Sequence, residues 1–117
     1  MPHRIGPTKL RIHFGEDIAM GPGKAALLEA IRETGSISAA GKRLGMSYKR
    51  AWNLVDLMNR SFRMPLVDTA TGGGGGGGAR LTMFAETVLD QYRAMQSKAD
   101  TALKSDLKSF AGLLAKH

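Results

Sequence analysis

The sequence contains no cysteine. That excludes a disulfide scaffold, a thiolate zinc site and a cysteine nucleophile, and it fits a reducing compartment. No apolar run of about 18 residues occurs, so no membrane-spanning segment is expected. The opening stretch MPHRIGPTKLRIHF lacks the apolar core of a secretory signal, and a cytoplasmic location is expected. The three histidines, His3, His13 and His117, are far apart with no HxxxH or HExxH spacing, so no metal site is expected. Acidic residues are scarce: 10 Asp and Glu stand against 17 Lys and Arg, a formal net charge of +7. Such an excess points to nucleic acid, an anionic membrane surface, an acidic protein, or no more than a soluble basic surface. The position of the charges decides among these.

What is present is enough for one folded domain. A chain of 117 residues with 43% hydrophobic residues can hide roughly 65% of its unfolded surface. We read 1–117 as a single domain, mostly α-helical with a small β element. Lys9 to Phe14 alternate in the manner of a half-buried strand, with Leu10, Ile12 and Phe14 on one face. Gly21-Pro22-Gly23 opens a helix whose stripe is Leu27, Leu28 and Ile31, and Gly35 ends it. Ser36 caps a short helix with Ile37, Ala40 and Leu44 inward, ended by Gly45. Ser47 caps a third helix, from Tyr48 to about Asn59, with Ala51, Leu54, Val55 and Met58 inward. Two short strands, Leu66 to Thr69 and Ala79 to Thr82, flank the seven glycines Gly72 to Gly78 and read as a hairpin spanning 66–82. A long helix occupies 83–116. Val88, Tyr92, Met95, Ala99 and Ala102 form a heptad-like seam on it, and Leu107, Phe110, Leu113 and Leu114 extend the apolar face.

The segment Gly35 to Val55, GSISAAGKRLGMSYKRAWNLV, has the helix-turn-helix pattern. Its two helices cross closely, so a small residue is needed at the contact, and Gly41 stands there. The tight turn needs a positive φ, which Gly45 supplies, and Met46 plugs the gap behind it. Ser47, Tyr48, Lys49, Arg50 and Asn53 are left facing outward on the N-terminal half of the second helix, the part that enters a major groove. A helical corner without any DNA role would show the same apolar spacing. The charge separates the two readings. Between Gly41 and Arg63 stand Lys42, Arg43, Lys49, Arg50, Arg60 and Arg63 against the single acid Asp56. Lys42, Arg43, Arg60 and Arg63 are expected to neutralise phosphates; Lys49, Arg50 and Asn53 are expected to read base edges. The order strand, three helices, hairpin and long helix is that of a winged helix-turn-helix. The hairpin is its wing, with Arg80 and Lys9 or Arg11 as backbone contacts. Trp52, between Ala51 and Leu54, is expected to be a packing residue. The glycine run contains GxGxxG trivially, but no Lys-Ser/Thr and no βαβ unit accompany it, so a nucleotide-using enzyme is not expected.

SISAAGKRLGMSYKRAWNLVDLMN followed by LVDTATGGGGGGGARLT resembles the N-terminal DNA-binding domain of the ModE family, the molybdate-responsive transcription regulators of bacteria. The marks are Ser47-Tyr48-Lys49 with Ala51-Trp52, then Ala70-Thr71-Gly72-Gly73, the glycine wing and Leu81-Thr82. A generic LysR-type domain shares the GSISAA and LG pieces but neither the Trp nor the glycine wing. The resemblance implies a homodimer, held by the N-terminal strand-helix region and the helix after the wing, on a palindromic operator of molybdenum-related genes. The residues it assigns to DNA binding, together with those read above, are Ser36, Lys42, Arg43, Ser47, Tyr48, Lys49, Arg50 and Asn53 on the helices. On the wing they are Thr71, Gly73, Gly74, Gly75 and Arg80. Full-length ModE proteins add molybdate-binding domains, whereas this chain ends at His117 and shows no Ser-Ala-Arg-Asn type motif. No cofactor is therefore expected within it. The alternative is an interaction module that pairs with a full-length relative or is controlled by a separate molybdate-sensing protein.

Overall fold

The structure, a computed structural model, describes residues 8–69 and 78–115. Eight elements follow in order: β1 (Ile12–Phe14), β2 (Asp17–Met20), α1 (Pro22–Thr34), α2 (Ile37–Arg43), α3 (Tyr48–Ser61), β3 (Val67–Thr69), β4 (Ala79–Leu81) and α4 (Met83–Ala111). The strands form two separate antiparallel pairs, β1 with β2 and β3 with β4.

Each helix starts and stops where its local chemistry dictates. α1 begins on Pro22, whose fixed φ suits a first helical position, and ends on Gly35 at φ 71. α2 is capped by Ser36, whose Oγ accepts from the Ala39 amide at 3.1 Å. α3 is capped in the same way by Ser47, which accepts from the Arg50 amide at 3.1 Å. Between them Gly45 takes φ 72, and the Met46 amide donates back to the Gly41 carbonyl at 2.8 Å. A residue with a Cβ would be strained at that turn.

The core lies where α1, α2, α3, the wing strands and the first half of α4 converge. Leu27, Leu28 and Ile31 of α1, Ile37 and Ala40 of α2, and Ala51, Val55 and Met58 of α3 are buried there with Leu66, Val67, Leu89 and Tyr92. α2 and α3 approach so closely that a Cβ placed on Gly41 would stand 2.8 Å from the Cβ of Ala51. Leu54 is half-buried and packs against the core as expected, whereas Leu44 is exposed rather than inward. Leu44 falls at the C-cap of α2, past the last turn that packs.

The N-terminal region departs from expectation. Its strand is half of a hairpin closed through Gly15, and β2 completes it. The ladder slips between Ile12 and His13, which pair with Met20 and Ile18. Phe14 sits at the hairpin end rather than on a buried face and is 84% exposed. The residues before β1 lie along α4. The Tyr92 hydroxyl donates to the Leu10 carbonyl at 2.6 Å, Gln96 donates to the Thr8 carbonyl at 2.9 Å, and the Thr8 amide donates to Asp100. Tyr92 thus packs within its own chain, whereas Met95, Leu103, Phe110, Leu113 and Leu114 further along are exposed. The apolar seam is therefore divided, its first half internal and its second half uncovered.

Gly41→Ala should destabilise the domain by about 1–3 kcal/mol, because the added methyl overpacks the crossing. Denaturant unfolding checks this, and Ala51→Gly in the same chain should recover part of the loss.

Candidate nucleic-acid interface

α3 presents two different surfaces because its apolar residues recur at Ala51, Val55 and Met58, one helical face. Tyr48, Lys49, Arg50 and Asn53 are all exposed, together with the capping Ser47. These five residues share the N-terminal half of the helix, as the spacing predicts. Lys42 and Arg43 are exposed at the end of α2, immediately before the turn that leads into α3. Lys42, Lys49, Arg50 and Arg80 take part in none of the ion pairs among the described residues.

The other cations are engaged. Arg43 reaches Glu33 of α1 at 2.9 Å, and Arg60 reaches Asp56 one turn away at 3.2 Å. Arg63 lies over the ring of Phe84, 5.4 Å from its centroid. It lines a cavity of about 430 Å³ with Phe14, Phe62 and Phe84 at the far end of α3. A 14-residue helix is about 21 Å long, so Arg60 and Arg63 stand well away from Tyr48. The positive run of the sequence therefore splits in space, and only its first part adjoins the exposed face of α3. The exposed pairs contribute at most about 1 kcal/mol each.

Ser36 and Ser47 have their side-chain oxygens committed to the caps. Each hydroxyl hydrogen is left over to donate. Arg11 lines a groove of about 460 Å³ with Arg50, Leu54 and Lys24 between the N-terminal hairpin and α3. Burial lowers the Lys24 ammonium below its ordinary pKa, and nearby Asp17 partly offsets this. Lys9 lies in the segment that runs beside α4. Among wing residues, Arg80 is exposed on β4 with Asp68 as its cross-strand neighbour. Thr71, Gly73, Gly74 and Gly75 lie outside the described residues.

Three features escaped the sequence reading. Trp52 is 38% exposed rather than packed, and its ring stands edge-on to Tyr48 with centroids 6.2 Å apart. Asn59 joins α3 to the wing: its Oδ1 accepts from the amides of Leu66 at 2.8 Å and Val67 at 3.0 Å, and its Nδ2 donates to the Val67 carbonyl at 3.2 Å. Its only sequence signal was its place at the end of an amphipathic helix just before a strand. Gly35 also meets the wing, because the Ala79 amide donates to its carbonyl at 2.9 Å.

Residues 24–86 match the bacterial regulatory helix-turn-helix proteins of the LysR family. The chain belongs to that family. It is similar to the transcriptional regulator ModE of Yersinia pestis, with 44% identity over 109 residues, 91% of this chain and 41% of that protein. The molybdenum-pterin-binding protein MopB of Rhodobacter capsulatus is 46% identical over 90 residues, 77% of this chain and 33% of its own. The DNA-binding transcriptional dual regulator ModE of Escherichia coli K12 is 37% identical over 100 residues, covering 83% and 38%. The chain thus spans between 33% and 41% of the length of these relatives. Among solved structures, the DNA-binding domain of CbnR in complex with DNA superposes with a TM-score of 0.55 at 21% identity, covering 79% of this chain and 97% of that one. The fold of this LysR-type chain is accordingly a winged helix-turn-helix carrying a long C-terminal helix.

Asn59→Ala leaves two wing amides without their acceptor and should cost about 2 kcal/mol of stability. Hydrogen exchange at Leu66 and Val67 should rise in the variant well beyond the change at Leu27 or Ile31, and equal changes at all four would contradict the assignment.

Proposed function

We propose that this chain is the operator-reading part of a ModE-like transcription regulator and that it binds duplex DNA through the outer face of α3. One observation carries this reading. The N-terminal half of α3 exposes Ser47, Tyr48, Lys49, Arg50 and Asn53 together, on a helix whose inner face is locked against α2. Arg and Lys in such a place favour guanine O6 and N7, and Asn favours adenine N6 and N7. Lys42, Arg43 and Arg80 would neutralise phosphates on either side, and the hydroxyls of Ser36 and Ser47 would donate to phosphate oxygens. Thr71, Gly73, Gly74 and Gly75 would bring the wing backbone close to the duplex.

The reading includes a homodimer on a palindromic operator, its two copies of α3 about 34 Å apart in successive major grooves. The uncovered second half of α4, with Leu103 and Phe110, and the exposed Leu113 and Leu114 after it support pairing with another helix. They also favour the alternative, in which this chain pairs with a longer relative or answers to a separate molybdate-sensing protein. Promoters of molybdenum-related genes are the first operators to test. No cofactor is assigned to the chain, and a cytoplasmic location and a non-enzymatic role go with the reading. Among the described residues no helix is long and apolar enough to cross a membrane.

Gel-shift titration against fragments of the native genome, with and without molybdate, tests the proposal. Raising salt from about 50 to 200 mM should weaken binding roughly 10³-fold or more, and a flat response would contradict it. Arg50→Ala should cost about 1–3 kcal/mol and relax preference at one operator position. A variant with unchanged site preference would remove Arg50 from the reading set.

A further inference from the structure

Trp52 is the sole tryptophan of the chain, and it is not spent on the core. It remains 38% exposed one helical turn after Tyr48, which is 62% exposed. Their rings meet edge to face, 6.2 Å between centroids and 75° between planes, so each restricts the rotamers of the other. The pair borders Lys49 and Asn53 on the same exposed N-terminal half of α3. Two adjoining, partly exposed rings gain from being covered by a partner. The surrounding charge argues that the cover is polyanionic: Lys42, Lys49 and Arg50 are exposed nearby, outside every ion pair among the described residues.

Resting on the DNA-binding reading above, we propose that Tyr48 and Trp52 together read thymine, by covering C5-methyl groups in the major groove. The methyl is the one apolar group that duplex DNA displays there, and it distinguishes T·A from every other pair. One turn of α3 advances about 5.4 Å against a base step of about 3.4 Å. With centroids 6.2 Å apart, the two rings reach methyls one or two base pairs apart. Lys49 and Asn53 beside them read the adjoining polar edges. The operator half-site thus contains one or two thymines whose identity depends on aromatic contact rather than on a hydrogen bond.

The test begins with selection of a binding site from a random duplex pool by the full chain. Each thymine of that site is then replaced in turn by deoxyuridine, which removes only the methyl. At one or two positions per half-site the replacement should weaken binding about fourfold, the size expected for one methyl taken out of water. At each sensitive position the cost should vanish in one of W52A and Y48A, the variant that lacks the ring covering that methyl, each checked for folding by circular dichroism. Emission from Trp52 in the unmodified chain should be quenched or blue-shifted on saturation with the selected duplex. If deoxyuridine is tolerated everywhere, or its cost persists in both variants, thymine reading is overturned while DNA binding stands. A selected half-site with no thymine, or an emission unchanged on saturation, overturns it equally. Failure to bind any duplex at low salt would instead overturn the DNA-binding reading itself.

Discussion

The outward face of α3 is set by a contact on its inward side, where Gly41 of α2 meets Ala51 with no room for a further methyl group. Two small residues let the helix backbones approach, and the approach fixes their crossing. Gly45 then turns the chain with a positive φ, and Ser47 restarts it as a helix. Given that crossing, Ala51, Val55 and Met58 have to point into the core. Lys49, Arg50 and Asn53, off that face, are then left exposed. The exposed face is thus a consequence of packing, not a separate structure added to the domain.

The rest of the domain holds that corner in place. α1 is clasped to α4 by Arg32 with Glu86 at 2.7 Å and by Arg93 with Glu29, and to α2 by Glu33 with Arg43. The side-chain hydrogen bonds to Glu86 and Glu29 raise the pKa of Arg32 and Arg93 above the ordinary guanidinium value. Thr82 joins three parts: its Oγ1 caps α4 through the Ala85 amide at 3.0 Å, its hydroxyl donates to the Pro65 carbonyl at 2.9 Å, and its amide donates to the Leu66 carbonyl at 3.0 Å. With Asn59 on the other side, the base of the wing is fixed relative to α3.

Local chemistry was legible in the sequence. Caps, turn glycines and the period of the buried stripe mark the three helices of the corner, because Ser36, Gly41, Gly45 and Ser47 each answer a local steric or hydrogen-bonding need. What depends on distant partners was not. β2, Asp17 to Met20, is too short and mixed to show a period, and only pairing with β1 makes it a strand. Phe14 keeps the parity of a buried residue, but whether a hairpin end is covered is a matter of tertiary shape. Charge gave a similar lesson. Six cations close in sequence looked like one patch, yet Arg60 and Arg63 ride to the far end of α3 and find Asp56 and Phe84. Trp52 was read as packed because large aromatics usually are; its exposure beside Tyr48 follows from the helix's rotation, which Ala51 sets.

The central claim is that the face bearing Lys49, Arg50 and Asn53 lies in the major groove. Dimethyl sulfate methylates guanine N7 in that groove, so its protection pattern on a bound operator reports the claim directly. The account predicts guanines shielded in two clusters about 10 base pairs apart, with one guanine in each cluster losing its shield in Arg50→Ala. Full binding with every guanine N7 still reactive would contradict it.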